Sequence, residues 1–342
     1  MLDVPSSVEE LEDRLSTPTT CVIETLAELP GDLIFLGVGG KMGPTMARMA
    51  VRASQEAGTK RRVIGVSRFS DPAVRNKLES SGVEVIAGDL LDESFVDNLP
   101  EAELVVYMAG FKFGASRDTA MTWAMNCYSP ALVCRKFASS RITAFSTGNV
   151  YGMVPVAGSG SIETDTPNPV GEYAMAALGR ERIFQYFSQQ RDIPLAILRL
   201  NYAAEMRYGV LVDLAQQVQA NEPINLSMAY VNVIWQADAN AMALAALAQA
   251  STPESVLNIV GPEMLSVREV AIQLGQLLQK PVQFSGIEST DALLSDGRRG
   301  RELLGHPHVN AEALIRWTAD WISRGGETLG KPTKFQNREG NF

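Results

Sequence analysis

Histidine is almost absent from this chain of 342 residues: only His306 and His308 carry an imidazole, both near the C-terminus. A Ser-His-Asp hydrolase or a His-built zinc site would have to be assembled from that one spot, which sets both classes aside. Cysteine is nearly as scarce. Cys21, Cys127 and Cys134 are odd in number and lack metal-ligand spacing, and Cys127 and Cys134, seven apart, share one helix face. They read as reduced core residues of a cytoplasmic protein, and no metal site is read from the chain. Missing as well is any run of about 18 uninterrupted apolar residues, the length that spans a bilayer. The first fifteen residues hold five acids and no basic, apolar leader, so secretion, organelle import and membrane spanning all lack support. Positive charge is also short: 30 Lys and Arg stand against 39 Asp and Glu, a net charge of −9. The basic residues are scattered apart from Lys60-Arg61-Arg62, whereas a nucleic-acid groove needs them concentrated, so that partner is disfavoured.

What is present is an ordinary globular composition, 46% apolar and 20% charged, in a length that suits about two domains. Residues 1–31 read as a helical extension, in which Ser7-Val8-Glu9-Glu10 makes a capping box and Thr17-Pro18 starts a second helix that Pro30-Gly31 ends. From Leu33, short apolar runs at 33–38, 63–67, 83–87, 104–109, 142–146 and 195–200 read as strands, with helical stretches between most of them. That alternation predicts an α/β fold, a Rossmann-type doubly wound parallel sheet over residues 32–200. Beyond residue 200 the pattern loosens into helices at 211–220, 237–250, 267–279 and 310–323, with short strands near 231–235, 256–260 and 282–284. This stretch, 201–330, reads as a smaller C-terminal substrate lid free to interleave with the sheet, and residues 331–342 as a polar, irregular tail.

The run Leu33-Ile34-Phe35-Leu36-Gly37-Val38-Gly39-Gly40-Lys41-Met42-Gly43-Pro44 is a strand that enters glycines at 37, 40 and 43 and then an apolar helix, with Met42, Met46 and Met49 on its buried face. Glycine permits a tight turn and close backbone approach to a pyrophosphate, and the opening helix aims free N–H groups at the negative charge. A ligand-free glycine-rich turn has the same spacing. Its place directly after the first strand tips the reading toward a dinucleotide cradle made by Gly37, Gly40, Lys41, Met42 and Gly43. The second strand ends in Ser67-Arg68, 24 residues after Gly43, about where an NAD-binding unit places an acid on the adenosine ribose. A hydroxyl and an Arg suit a 2′-phosphate instead. The cofactor is therefore read as NADP or NAD with NADP favoured, against the plainer reading of Arg68 as a solvated residue after a strand.

Further segments follow in order: Gly88-Asp89-Leu90 after the third strand, Val105-Val106-Tyr107-Met108-Ala109-Gly110 at the fourth, Asn126 in the next helix, Phe145-Ser146-Thr147-Gly148-Asn149-Val150-Tyr151-Gly152, and Glu163-Thr164-Asp165-Thr166-Pro167-Asn168-Pro169 before Tyr173. Together with the glycines they resemble the extended branch of the short-chain dehydrogenase/reductase superfamily, the NAD(P)-dependent epimerases and dehydratases of sugars and nucleotide sugars, over roughly residues 31–325. The resemblance implies that Asp89 and Leu90 contact the adenine and that Met108, Ala109 and Gly110 line the cofactor. It also implies that Asn126 is the family's structural Asn, that Thr147 and Tyr173 are catalytic, and that a homodimer forms through a helix pair.

The family follows its catalytic Tyr with a Lys four residues later, but Tyr173-Ala174-Met175-Ala176-Ala177-Leu178-Gly179-Arg180-Glu181 has Ala177 at that position. Spacing of four puts both on one helix face, where an ammonium would stabilise a tyrosinate. An unassisted phenol with a pKa near ~10 is ionised in about one molecule in a thousand at pH 7, roughly 4 kcal/mol of missing stabilisation. Oxidising an alcohol needs that base, whereas reducing a carbonyl needs an acid, which a neutral Tyr already is, so reduction suits Ala177 better. In Leu198-Arg199-Leu200-Asn201-Tyr202-Ala203-Ala204-Glu205 the family's Arg-to-Asn spacing is one shorter and its Gly-Pro is absent; no family substrate residue is carried onto that loop. Lys41, Lys112, Arg117 and Arg207 are candidate substitute cations that read better as solvated loop charges, and Trp123, Trp235, Trp317 and Trp321 as core or interdomain packing. Two functions follow. One is an oxidoreductase or epimerase acting on a sugar-like hydroxyl or carbonyl compound, with Tyr173 moving a proton and Thr147 polarising the substrate oxygen. The other is a cofactor-binding regulatory or scaffold protein without redox turnover. A buried cation reaching the site from elsewhere favours the first, an apolar plug beside Ala177 the second.

Overall fold

The computed structural model describes residues 3–341. Its runs of Val, Ile, Leu and Phe form strands β1 (Leu33–Leu36), β2 (Val63–Ser67), β3 (Glu84–Ala87), β4 (Leu104–Tyr107), β5 (Arg141–Thr147), β6 (Leu195–Leu200) and β7 (Ser255–Ile259), paired in parallel throughout. Their order across the sheet is β7-β6-β5-β4-β1-β2-β3, a doubly wound Rossmann arrangement in which the order of succession reverses between β1 and β4 and leaves a crevice beyond the strands' C-terminal ends. Because the side-chain period is 2, each central strand feeds two cores. Leu33 and Phe35 face one cluster and Ile34 and Leu36 the other, all fully buried. Burial on both faces explains why these strands are unbroken apolar runs.

The first cluster continues from the sheet into the C-terminal half, through Leu211 and Leu214 to Trp235 and Trp317, whose rings meet edge to face at 5.6 Å. The seventh strand, Ser255–Ile259, also comes from beyond residue 200. Asp291–Ala292 returns to pair with Val154–Pro155. The predicted helices at 211–220, 267–279 and 310–323 are found at Val210–Gln219, Val267–Leu278 and Ala311–Ser323.

Three local expectations are corrected. The second helix runs Thr20–Glu28 with Thr19 as its cap, accepting from the N–H of Val22, so the hydroxyl cap outweighs Pro18's suitability for a helix start. Trp123 is 41% exposed, its indole donating to Glu172 at 2.7 Å, and is no core residue. The tail is irregular but docked: Phe335 is fully buried, Thr333 donates to Asp213, and Arg338 is paired with Asp291 at 2.5 Å. Among the described residues no helix is long and apolar enough to cross a membrane.

The N-terminal helix Val8–Leu15 is part of this core. Ser7 caps it, Leu11 and Leu15 are fully buried, and Glu12 bonds Lys77 and, at 2.7 Å, Arg207 of the C-terminal half. Leu15→Ala is therefore expected to lower the unfolding free energy in urea by about 2–5 kcal/mol, the usual cost of emptying a closed core position. A loss under about 1 kcal/mol would show the helix to be an appendage.

Candidate active site

The three glycines serve three different needs. Gly37 has φ +95°, and a Cβ there would lie 2.6 Å from the backbone N of Ala109, so it lets β1 and the end of β4 approach. At Gly43 a Cβ would meet the carbonyl O of Val38 at 2.0 Å. At Gly40 the nearest atom would be 3.8 Å away, because that position faces open space. The helix Gly43–Glu56 begins at Met42 with no side-chain cap, leaving its first N–H groups directed at the turn.

Two adjoining cavities flank this turn and share Gly39, Gly40, Met108 and Gly110. One, of about 270 Å³, is lined by Gly37, Ser67, Arg68, Asp89, Leu90 and Ala109. The other, of about 500 Å³, is lined by Lys41, Met42, Lys112, Thr147, Tyr173 and Arg180 together with Asn201, Tyr208, Lys331 and Thr333. The predicted residues Gly37, Gly40, Lys41, Met42, Ser67, Arg68, Asp89, Leu90, Met108, Ala109, Gly110, Thr147 and Tyr173 thus line one continuous crevice; Gly43 packs beneath it. Asn126 does not line it. That side chain is buried in the π turn Ala124–Tyr128, donates to the carbonyl of Thr122 at 2.8 Å, and accepts from Arg180.

Tyr173 stands in the first turn of the helix Gly171–Arg191 and is hydrogen-bonded to Thr147 at the end of β5. Thr147 Oγ1 also accepts from the Asn149 amide at 2.9 Å. Burial pushes the Tyr173 phenol above its ordinary value, against the pull of the Arg180 charge and the Thr147 hydrogen bond, so the resting group is the neutral acid. Ala177 is fully buried against Val150 and Tyr151. Arg180, two turns beyond Tyr173 on the same face, is 6% exposed; it donates to the Phe145 carbonyl at 2.7 Å and to Asn126, while its Nε has no partner and, among the described residues, no carboxylate pairs with it. The neighbouring acid Glu181 is engaged elsewhere, by Arg199 at 2.8 Å and Ser146 at 2.5 Å.

The sequence matches the profile described as the NAD dependent epimerase/dehydratase family over residues 36–257. The chain belongs to that family. The fold agrees with family structures of low identity. UDP-glucuronic acid 4-epimerase from Bacillus cereus, in complex with UDP-glucuronic acid and NAD, superposes with a TM-score of 0.70 at 18% identity, over 86% of this chain and 99% of that one. UDP-glucose 4-epimerase from Thermotoga maritima, with UDP-glucose, gives 0.69 at 17% over 86% and 99%. dTDP-glucose 4,6-dehydratase from Bacillus anthracis, in complex with NAD, gives 0.69 at 15% over 86% and 97%. A sequence comparison with curated proteins finds no match.

Set beside the family's sequence pattern, the structure adds residues that the motifs do not show. Arg180 was signalled only by its seven-residue spacing from Tyr173. Asn201 is buried on the cavity wall with both amide atoms unpartnered. Lys41 and Lys112 are not solvated loop charges. The Lys41 ammonium is shielded from water without a hydrogen-bond partner, 3.0 Å from the centre of the Tyr208 ring. Burial and then the charges of Lys112 and Lys331 pull its pKa down to about 7; burial and Lys334 pull Lys112 down to about 8. Arg207 is likewise half-buried and paired, with Glu205 at 3.0 Å and with Glu12, whereas Arg117 is exposed.

The depressed Lys41 pKa has a stability sign. Between about 7 and the ordinary 10.5 the unfolded chain holds the proton that the folded chain has lost, so the folded state is penalised most below pH 7 and the penalty fades as pH rises toward 10.5. Lys41→Met should consequently unfold at higher urea than the wild type at pH 6, with the advantage shrinking by pH 9. A pH-independent difference would mean that this ammonium titrates normally.

Proposed function

We propose that the chain is a nicotinamide-dinucleotide-dependent oxidoreductase or epimerase of a sugar-like hydroxyl or carbonyl substrate, in which Tyr173 moves the proton and Arg180 supplies the positive charge that a lysine four residues after the tyrosine supplies elsewhere in the family. The observation that carries this reading is the meeting on one cavity wall of Tyr173, Thr147 and a buried guanidinium that no acid among the described residues pairs. The open space at Gly40 and the uncapped helix beside it suit a pyrophosphate. Gly37, Gly40 and Met42 would hold it there, with Asp89 and Leu90 toward the adenine and Met108, Ala109 and Gly110 along the dinucleotide. Ser67 and Arg68 border the far end of the crevice, which supports NADP ahead of NAD. When bound, the dinucleotide supplies hydride acceptance and return at a substrate carbon.

The chain's own groups do the rest. Thr147 hydrogen-bonds Tyr173 and orients its hydroxyl toward the cavity, where it can donate to a substrate carbonyl oxygen or, less readily, take a proton from an alcohol. Arg180 acts on Tyr173 through its charge, lowering the cost of the phenolate that burial alone would make prohibitive. Asn126 holds Arg180 and is a positioning residue. Ala177, packed on Val150 and Tyr151, is the one observation favouring a cofactor-binding protein without turnover; the buried Arg180 weighs against it. Exposed Met121, Trp123, Tyr128, Met175 and Tyr186 on adjoining helices support a homodimer through that face. The three free cysteines support a reducing, cytoplasmic setting.

The test is calorimetric titration with NADPH and NADH followed by turnover on a panel of sugars and nucleotide sugars. Wild type should bind NADPH the more tightly, Arg68→Ala should erase the difference, and Gly40→Val should fold yet lose both cofactors. Tyr173→Phe should bind cofactor and lose turnover, about 100-fold or more in rate. Undiminished turnover by Tyr173→Phe would overturn the proton route, and absence of turnover in every protein despite cofactor binding would favour the scaffold.

A further inference from the structure

The larger cavity carries more positive charge than the proton chemistry uses. Lys41 enters it from the glycine turn, Lys112 from the segment after β4, and Lys331 from the C-terminal tail folded back across the opening. Lys112 stands 5.5 Å from the centre of the Tyr173 ring, so the cluster adjoins the proton donor. The nearby acids Asp213 and Glu205 attract Lys41 from a distance without hydrogen-bonding it: Asp213 accepts from the Thr333 N–H at 2.8 Å and its hydroxyl at 2.5 Å, and Glu205 is held by Arg207. Asn201 adds a second signal that a ligand belongs here, since both its amide atoms are buried and unpartnered on the same wall. Like charges brought together repel one another, and a buried ammonium without a hydrogen-bond partner, as at Lys41, is costly. An anion at this spot relieves both penalties, and a molecule with a net charge of −9 gathers such a cluster only against its overall charge balance.

We propose that the part of the substrate that reaches Tyr173 bears an anionic group, a sugar carboxylate or a sugar phosphate, seated against Lys41, Lys112 and Lys331. The proposal rests on the site reading above for the place of the reacting carbon, but its charge argument stands without a cofactor. The anion draws Lys41 and Lys112 back toward full protonation, so binding at pH 8 takes up protons from the buffer. The three lysines come from three separate chain segments, and the tail provides the one at the mouth.

The experiment is isothermal titration at pH 8 in two buffers of different ionisation enthalpy, with and without saturating NADH. UDP-glucuronate is compared with UDP-glucose, which holds the diphosphate constant, and glucose 6-phosphate with glucose. The acidic member of at least one pair should bind about tenfold or more tightly, the scale of one charge-assisted hydrogen bond, with net proton uptake. A preference confined to the first pair identifies a carboxylate, one confined to the second a phosphate. Lys331→Met, at an exposed position of the mouth, should abolish most of the preference while leaving NADH affinity within about threefold, and Lys331→Arg should restore it. Equal affinity for acidic and neutral sugars in both pairs overturns the proposal. So does a Lys41→Met variant that weakens NADH as strongly as the acidic sugar, since the charge would then serve the cofactor. If NADH binds to no protein yet the acidic preference persists, the anion site stands and the dinucleotide reading falls.

Discussion

A buried guanidinium that no acid among the described residues pairs is the constraint around which this site is built. Taking Arg180 out of water costs several kcal/mol, and the structure offsets that only in part, through the Phe145 carbonyl and the Asn126 side chain. Those two bonds tie the end of β5, the π turn at Ala124–Tyr128 and the long helix Gly171–Arg191 to one another. The acid that would neutralise Arg180 most simply is its neighbour Glu181, but consecutive helix residues point about 100° apart, and Glu181 is held by Arg199 in a separate buried pair. The positive charge is therefore left to the cavity, where Tyr173 feels it.

A charge two helical turns from the tyrosine is a different solution from one a single turn away. The methyl of Ala177 leaves room for Val150 and Tyr151 to pack under the helix, and the hydroxyl of Tyr151 is itself bonded to Arg199 at 2.8 Å and Asn258 at 2.8 Å. The space that a lysine would cross is thus a filled core. Arg180 approaches from the Asn126 side instead. Burial outweighs its pull, which keeps Tyr173 in the neutral form.

Much of this was legible in the sequence because it is local. β1, β2, β4, β5 and β6 appear as apolar runs buried on both faces and β3 as a short, half-exposed edge run, and the glycine spacing marks the turn after β1. The motif order brought Thr147, Tyr173 and the residues after β2, β3 and β4 into one crevice. What was not legible depends on contacts far apart in the chain. A charged residue inside a helix reads as solvated unless the partners that bury it are known, and for Arg180 they lie 35 and 54 positions away. Lys41 is shielded by Tyr208 and Lys331 crowds it, across a tail whose composition alone promised nothing but irregularity. The helix beginning at Thr20 and the exposure of Trp123 were misread for smaller reasons, a cap that outranked a proline and a surface that an indole shares with Glu172.

The account turns on whether Arg180 governs Tyr173, and the direct measurement is the phenol's own titration. Protein labelled with 13C at tyrosine Cζ, with Tyr173 assigned by its loss in Tyr173→Phe, should show a Tyr173 pKa above that of a free phenol. The pKa should rise by about one unit or more in Arg180→Met and be restored in Arg180→Lys. A Tyr173 pKa that is the same with and without the guanidinium, in folded protein, would contradict it.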